Sequence, residues 1–254
     1  SGAVFCSGCG CNNYDTGDNF CGCPDLDHTN ADVQSKVKDY LNFLHGIGYR
    51  GWRFDMVKGY GPSFVGGYVA ASSPAFAVGE FFDSDANKVA NWVSGTGDLS
   101  AAFDFPLRAT LKNAVSSNDY SGLYGMPGLI GKNAANAVTF VDNHDTARND
   151  RFGDADALKM AYALLLTHPG TPCVFWGDWV QSDVQATIRT LMAIRAAAKL
   201  TSTSSWRIVE TVGGLYAAYI GESVAMKLGS NDWSPSDKAY KLKTSGNNFA
   251  VWTK

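Results

Sequence analysis

Short apolar or β-branched runs alternate with amphipathic stretches through the middle of this chain. That alternation limits the possible fold more than any other feature. The runs lie at residues 52–56, 76–80, 101–105, 137–142 and 171–176. Between and after them, residues 86–93, 107–115, 155–166 and about 184–200 carry helical spacing. Ahead of the first run, Val33, Val37, Leu41 and Leu44 mark a helix over 31–46, with Asn30 as its N-cap and Gly46 as its stop. Strand and helix alternating at roughly 25 to 37 residues per unit predict βα repeats around a parallel sheet. Near residue 205 the texture changes. Runs at 206–210, 215–220, 223–228, 240–243 and 249–252, separated by Gly, Asn and Ser, predict a small antiparallel β domain with its boundary at 200–205. Residues 1–30 have no periodicity and read as irregular loop.

Composition removes several classes of function. Lys plus Arg is 21 against 24 for Asp plus Glu, and no basic cluster occurs, so a nucleic-acid partner is not expected. No apolar run approaches the roughly 18 residues of a membrane span. No charged-then-apolar leader opens the chain, so the compartment stays open between extracellular and plastid. Aromatics at 13 % suit either stacking on flat ligands such as sugar rings or a well-filled core. Cys6, Cys9, Cys11, Cys21 and Cys23 crowd the first loop region, as disulfides, a zinc site or free thiols. Cys173, in an apolar run, reads as an inert core thiol.

In βα proteins the reactive groups collect at the C-terminal ends of the strands. The ends here are acidic. The first run closes with Asp55 and the second with Glu80, the third holds Asp104, and the fourth leads into Asp142-Asn143-His144-Asp145. Carboxylates gathered at one rim, without a conspicuous cage of histidines, suit acid/base or nucleophilic work on an uncharged substrate. Arg53 and Asp55 are two apart on a strand and share a face, so the guanidinium would keep Asp55 ionised and in place. A structural ion pair would look the same. Glu80 leaves the apolar strand Phe76-Ala77-Val78-Gly79, a setting that raises a carboxyl pKa as a proton donor requires. His144 puts a hydrogen-bond donor beside a third acid, Asp145, although a helix-capping turn has the same pattern.

Together these segments resemble the α-amylase family. Gly51-Trp52-Arg53-Phe54-Asp55-Met56-Val57-Lys58-Gly59, Ala77-Val78-Gly79-Glu80 and Phe140-Val141-Asp142-Asn143-His144-Asp145-Thr146 are similar to three of its four signature segments, in wording closest to the plant type. Residues 167–175 and 249–254 fit that type as well, so the likeness runs from about Asn13 to the end. The resemblance implies retaining hydrolysis of internal α-1,4-glucosidic bonds in starch, glycogen or maltooligosaccharides. It makes Asp55 the nucleophile, Glu80 the acid and then the base, and Asp145 the group that holds substrate hydroxyls and stabilises the oxocarbenium-like transition state. Arg53 would orient Asp55, His144 would bind the sugar at the cleaved bond, and Lys58 would reach a sugar on the leaving-group side. It also implies a Ca²⁺ site on the Asp15 and Asp25 side chains and the Asp18 and Gly59 carbonyls. Without it, Asp- and Gly-rich loops of this kind read as Asx-turns.

A complete barrel of this type needs eight βα units and about 250 residues. Five units can be counted here. The expected architecture is therefore a (β/α)8-type barrel lacking its first three βα units, followed by a small antiparallel β-sheet domain. Residues 1–30 would be the remnant of the inserted calcium-binding loop domain, 31–204 the partial barrel and 205–254 the C-terminal domain. The family's first signature segment has no counterpart in this sequence. Five parallel strands leave two open edges, so the chain alone is expected to associate and to hydrolyse starch negligibly. A non-catalytic glucan-binding chain and a glucan transferase of the same family are the competing readings.

Overall fold

The computed structural model describes residues 3–4 and 25–254, with side chains from Leu26 onward. The clustered cysteines, Asp15, Asp18 and the side chain of Asp25 lie outside the described residues. The chain divides into two compact units: unit 1 runs to Asp83 and resumes at Asn87–Phe103, and unit 2 takes Ser84–Ala86 and Asp104–Lys254.

Unit 1 opens with a two-stranded antiparallel ribbon, β1 (Ala3–Val4) on β2 (Asp25–Leu26). Helix α1 (Ala31–Gly46) begins where the Asn30 side chain accepts the Asp32 amide, and ends on the expected glycine. Then come β3 (Gly51–Phe54), α2 (Pro62–Ser72), β4 (Phe76–Gly79), α3 (Ala86–Gly95) and β5 (Ala101–Phe103). β3 pairs parallel with β4, Trp52 opposite Ala77, and β4 pairs parallel with β5, Gly79 opposite Ala102. Leu41 of α1, Trp52 of β3 and Tyr68 of α2 bury against one another, with Val37, Leu44, Phe54 and Phe64 around them. Each such side chain contributes roughly 1.5–3 kcal/mol when fully buried. The Trp52 indole N–H is satisfied by Ser72 Oγ at 2.9 Å. Helix α2 is not among the helices expected from the sequence, and it carries Gly66 and Gly67 at its centre. A Cβ at Gly66 would lie 2.4 Å from the Thr96 carbonyl oxygen, so this glycine permits close approach.

Unit 2 contains α4 (Phe105–Ser117), α5 (Ile130–Asn133), β6 (Ala137–Phe140), α6 (Thr146–Asn149), α7 (Ala155–Thr167), β7 (Thr171–Cys173), α8 (Trp176–Trp179) and α9 (Ser182–Ala197). β6 and β7 pair parallel, Thr139 opposite Pro172. An antiparallel sheet follows, from β8 (Trp206–Val212), β9 (Leu215–Ile220), β10 (Val224–Leu228), β11 (Lys241–Gly246) and β12 (Phe249–Thr253), in the order β11-β12-β10-β9-β8. Helix α7, apolar almost all round, packs on this sheet. His168, at its C-cap, reaches the buried Tyr216 hydroxyl at 2.8 Å. The texture change near 200–205 falls inside unit 2, between α9 and β8.

Two expectations need correction. Each parallel strand ends earlier than the apolar pattern does, at Phe54, Gly79, Phe103, Phe140 and Cys173. The residues beyond turn out of the sheet within a step or two, and the apolar runs carry no mark of where that turn begins. Cys173 is exposed, not a core thiol. It sits on β7, whose alternation runs exposed, half-buried, exposed, because the described residues leave that face of the strand uncovered.

Candidate active site

Unit 1 carries the first half of the site, immediately past the ends of β3 and β4. The ladder continues for one step there: the Glu80 amide donates to the Phe54 carbonyl (2.9 Å) and the Val57 amide to the Glu80 carbonyl (3.3 Å). Asp55 and Met56 are thereby stitched to Glu80. Met56 adopts a left-handed backbone (φ 47°, ψ 40°), a strained state for a residue with a side chain. It lets the Met56 amide donate to a Glu80 carboxyl oxygen at 3.3 Å. The Arg53 guanidinium bridges the two acids, bonding Asp55 through one nitrogen and Glu80 at 3.0 Å through the other. Gly79, just before Glu80, lets the buried Trp92 ring pack on β4, since a Cβ there would come within 2.2 Å of that ring.

The two carboxyls differ in environment. The Asp55 side chain is 67 % exposed and that of Glu80 is 6 % exposed. Burial raises the Glu80 pKa, and a hydrogen bond to Asp55 raises it further; the Arg53 charge and the Met56 amide pull the other way. One acid therefore faces solvent while its neighbour retains a proton more readily, the division of labour that acid and nucleophile need. Lys58 lies close by, ion-paired with Asp83 at 3.4 Å, its ammonium 5.8 Å from the Phe81 ring centroid. Gly59 closes the turn after Met56, its amide on the Met56 carbonyl at 2.8 Å.

Unit 2 carries the Asp142–Asp145 turn. Asp142 is buried and fully engaged: its carboxylate accepts from Arg108 (2.8 Å), the Thr146 hydroxyl (3.0 Å) and the Phe152 amide (3.1 Å). Asn143 Oδ1 accepts the amides of Asp145 (3.0 Å) and Thr146 (2.8 Å), opening α6. His144 and Asp145 stand outward, Nε2 to Oδ2 at 3.2 Å, with side chains 65 % and 47 % exposed. Asp104, read from the sequence with the rim acids, is corrected here. It is fully buried, and its carboxylate accepts the amides of Leu107, Leu129 and Ile130, which caps α4. Burial pushes it up to about 6 against the pull of those amides. Gly128, at φ +146°, lets the chain pass that carboxylate, where a Cβ would be 2.7 Å away.

Arg53, Asp55, Lys58, Gly59 and Glu80 thus gather in unit 1, and His144 and Asp145 in unit 2. Sequence reasoning missed Arg108, an arginine inside an amphipathic helix with no local signal, and Asp83, the partner of Lys58. Among the described residues no group of three or more His, Cys, Asp or Glu is placed to hold a metal.

The chain shares the fold of solved α-amylases. It superposes on the crystal structure of α-amylase from Geobacillus thermoleovorans, complexed with acarbose, with a TM-score of 0.72 at 15 % identity, covering 93 % of this chain and 67 % of that one. Residues 197–253 match the family model described as the α-amylase C-terminal β-sheet domain. The chain is 38 % identical over 98 % of its length to probable α-amylase 2 of Arabidopsis thaliana, spanning 65 % of that protein. It is 34 % identical to the α-amylase type B isozyme of Hordeum vulgare, over 50 % of this chain and 86 % of that sequence. The chain belongs to the α-amylase family.

Proposed function

We propose that these residues serve retaining endo-hydrolysis of α-1,4-glucosidic bonds in starch, glycogen and maltooligosaccharides. The observation that carries the reading is the Arg53-bridged pair of one open and one sheltered carboxyl. Retaining chemistry uses two neighbouring carboxyls, about 5–5.5 Å apart across the scissile bond, one as nucleophile and one as acid and then base. Asp55 attacks the anomeric carbon and forms the glycosyl–enzyme ester. Glu80, protonated in its buried setting, gives its proton to the leaving oxygen and then takes one from the incoming water. Asp145 holds sugar hydroxyls and stabilises the cationic transition state, with His144 on the same sugar. Lys58 reaches toward the leaving-group side from its seat against Asp83.

The architecture we assign is the family's (β/α)8-type barrel, of which residues 31–204 supply five units, with 205–254 as the C-terminal domain and 1–30 as part of the inserted loop domain. The match of residues 197–253 to the C-terminal family model supports that division. Ca²⁺ fits the proposed donors Asp15, Asp18, Asp25 and Gly59 by chemistry, because carboxylate and carbonyl oxygens are what a hard cation takes. It would tie the loop segment to the turn after β3.

Trapping tests the reading. A 5-fluoro-α-maltosyl fluoride should lose its anomeric fluoride and leave one 5-fluoromaltosyl group on the Asp55 peptide by mass spectrometry, and none on Asp55→Asn. Release of α-configured maltooligosaccharides from amylose, at whatever rate this chain sustains, marks hydrolysis; chain-length redistribution without net release would mark a transferase. Amylose binding with no label would reduce the chain to a glucan-binding protein.

A further inference from the structure

We infer that Arg108 is a positioning residue for Asp145, an inference that rests on the role proposed for Asp145 above. Arg108 lies in the first turn of α4 and is 5 % exposed. Its guanidinium holds both ends of the turn that carries His144 and Asp145. Nε donates to the Val141 carbonyl at 2.7 Å, and Nη2 to Asp142 at 2.8 Å. Nη1 donates to the Asp150 carboxylate at 2.8 Å, and Nη2 to the Asp150 carbonyl at 2.6 Å. From Asp142 the chain of bonds goes on to the Thr146 hydroxyl, which accepts the Asn143 amide at 2.9 Å. The Asn143 side chain in turn accepts the amides of Asp145 and Thr146. Hydrogen bonds therefore run unbroken from Arg108 to the backbone of Asp145.

Two considerations make this a device for placement. His144 and Asp145 are too exposed for side-chain packing to hold them, so their position is that of their backbone. And a buried Arg–Asp pair is a poor stabiliser, since apolar residues of similar volume often do as well. What a planar fork of five donors provides is simultaneous, directional grip on several acceptors, which the single ammonium of a lysine does not reproduce.

The variant is Arg108→Lys, which retains the charge opposite buried Asp142. Amide exchange is followed at Asn143, Asp145 and Thr146, with α7 amides as the internal reference. The expected result is at least about tenfold faster exchange at the three turn amides with α7 unchanged, because a turn loosened locally opens without global unfolding. In the same variant the maximal rate of Asp55 labelling should fall roughly tenfold or more, the half-saturating probe concentration staying within about twofold, as for a group misplaced in the transition state. Parent-like exchange at the three amides overturns the inference. If Arg108→Lys does not fold, Asp150→Ala removes the carboxylate half of the far anchor and leaves the Asp150 carbonyl bond and the Asp142 pair intact. It should speed exchange at the same amides, and unchanged exchange there overturns the inference equally. A parent chain that neither labels nor releases sugar overturns the hydrolase reading instead, and the exchange measurements still decide on Arg108.

Discussion

Asp55 and Glu80 touch the same guanidinium yet differ in exposure, and from that difference their chemistry can be tested one residue at a time. Glu80→Gln keeps the shape and removes the transferable proton, so hydrolysis of amylose, whose leaving oxygen needs that proton, should fall by about 10²–10⁴, while labelling by the activated fluoride should fall far less. The pKa of Glu80 is raised first by burial and then by Asp55, and lowered by Arg53. In a ¹³C-carboxyl titration, Asp55→Asn should therefore move Glu80 downward and Arg53→Met should move it upward; movement in the opposite senses would break the coupling. The stability sign follows. A carboxyl with a raised folded pKa favours the folded state below its unfolded pKa, and that advantage is lost as pH rises through the folded value. Above that folded value the ionised, sheltered Glu80 is a cost, so Glu80→Gln should gain in melting temperature on the parent as pH rises through it, with the gap closing in acid. Both acids and Arg53 are legible in the sequence, because strand alternation puts positions 53 and 55 on one face and the apolar run of β4 shelters position 80. The second bond of Arg53, to Glu80, is not, since it depends on the register of β3 against β4.

Elements were read well where periodicity is long and poorly where it is short. Helix α1 matches its expected span at both ends, because its apolar face repeats and a cap and a glycine bound it. Helix α2 was not expected; its Gly66 serves packing against Thr96 and not a turn. The parallel strands were found but overrun, and Asp104 was placed with the rim acids for that reason. Its three amide partners come from 107, 129 and 130, a grouping no local pattern announces. Asp104→Asn turns an N–H toward an amide that needs an acceptor, and should cost about 1–3 kcal/mol in urea melts. The bond from α7 to the antiparallel sheet offers a second measurement. His168 is wholly buried and its pKa is pushed down to about 3, with burial the main cause. The unfolded chain takes up a proton below about 6.5 that the folded chain refuses. The stability tied to neutral His168 is thus complete above that pH and is lost as pH falls toward 3, at up to about 1.4 kcal/mol per pH unit. His168→Gln should flatten this part of the stability–pH curve, even if it lowers the whole curve. An unflattened slope would mean that His168 titrates normally.

At the scale of the whole molecule, what the sequence conveyed was order: parallel βα units first, an antiparallel sheet last, as the C-terminal family match also has it. Which apolar residues stay uncovered could not be read, because a helix with apolar residues on two faces looks the same whether one or both are buried. Helix α1 is such a helix. Val33, Val37, Leu41 and Leu44 turn toward the unit 1 core, while Tyr40, Phe43 and Ile47 are each about 60 % exposed on α1 and just beyond its end. Positions 40, 43 and 47 fall on one stripe of a helix, so the three side chains form a patch, not scattered exposures. Nearby exposed Tyr49 adds to the apolar surface. Covering even half of three such side chains contributes roughly 1 kcal/mol apiece, enough to drive weak association at high concentration. In sedimentation velocity the 254-residue chain should therefore gain average mass as concentration rises into the range of about 100 µM. The double variant Phe43→Ser, Ile47→Ser should stay nearer the monomer with little change in melting temperature, since neither residue belongs to the Leu41–Trp52–Tyr68 core. A parent that remains monomeric, or a variant that associates as strongly as the parent, would remove this stripe as the cause and move attention to the open strand edges.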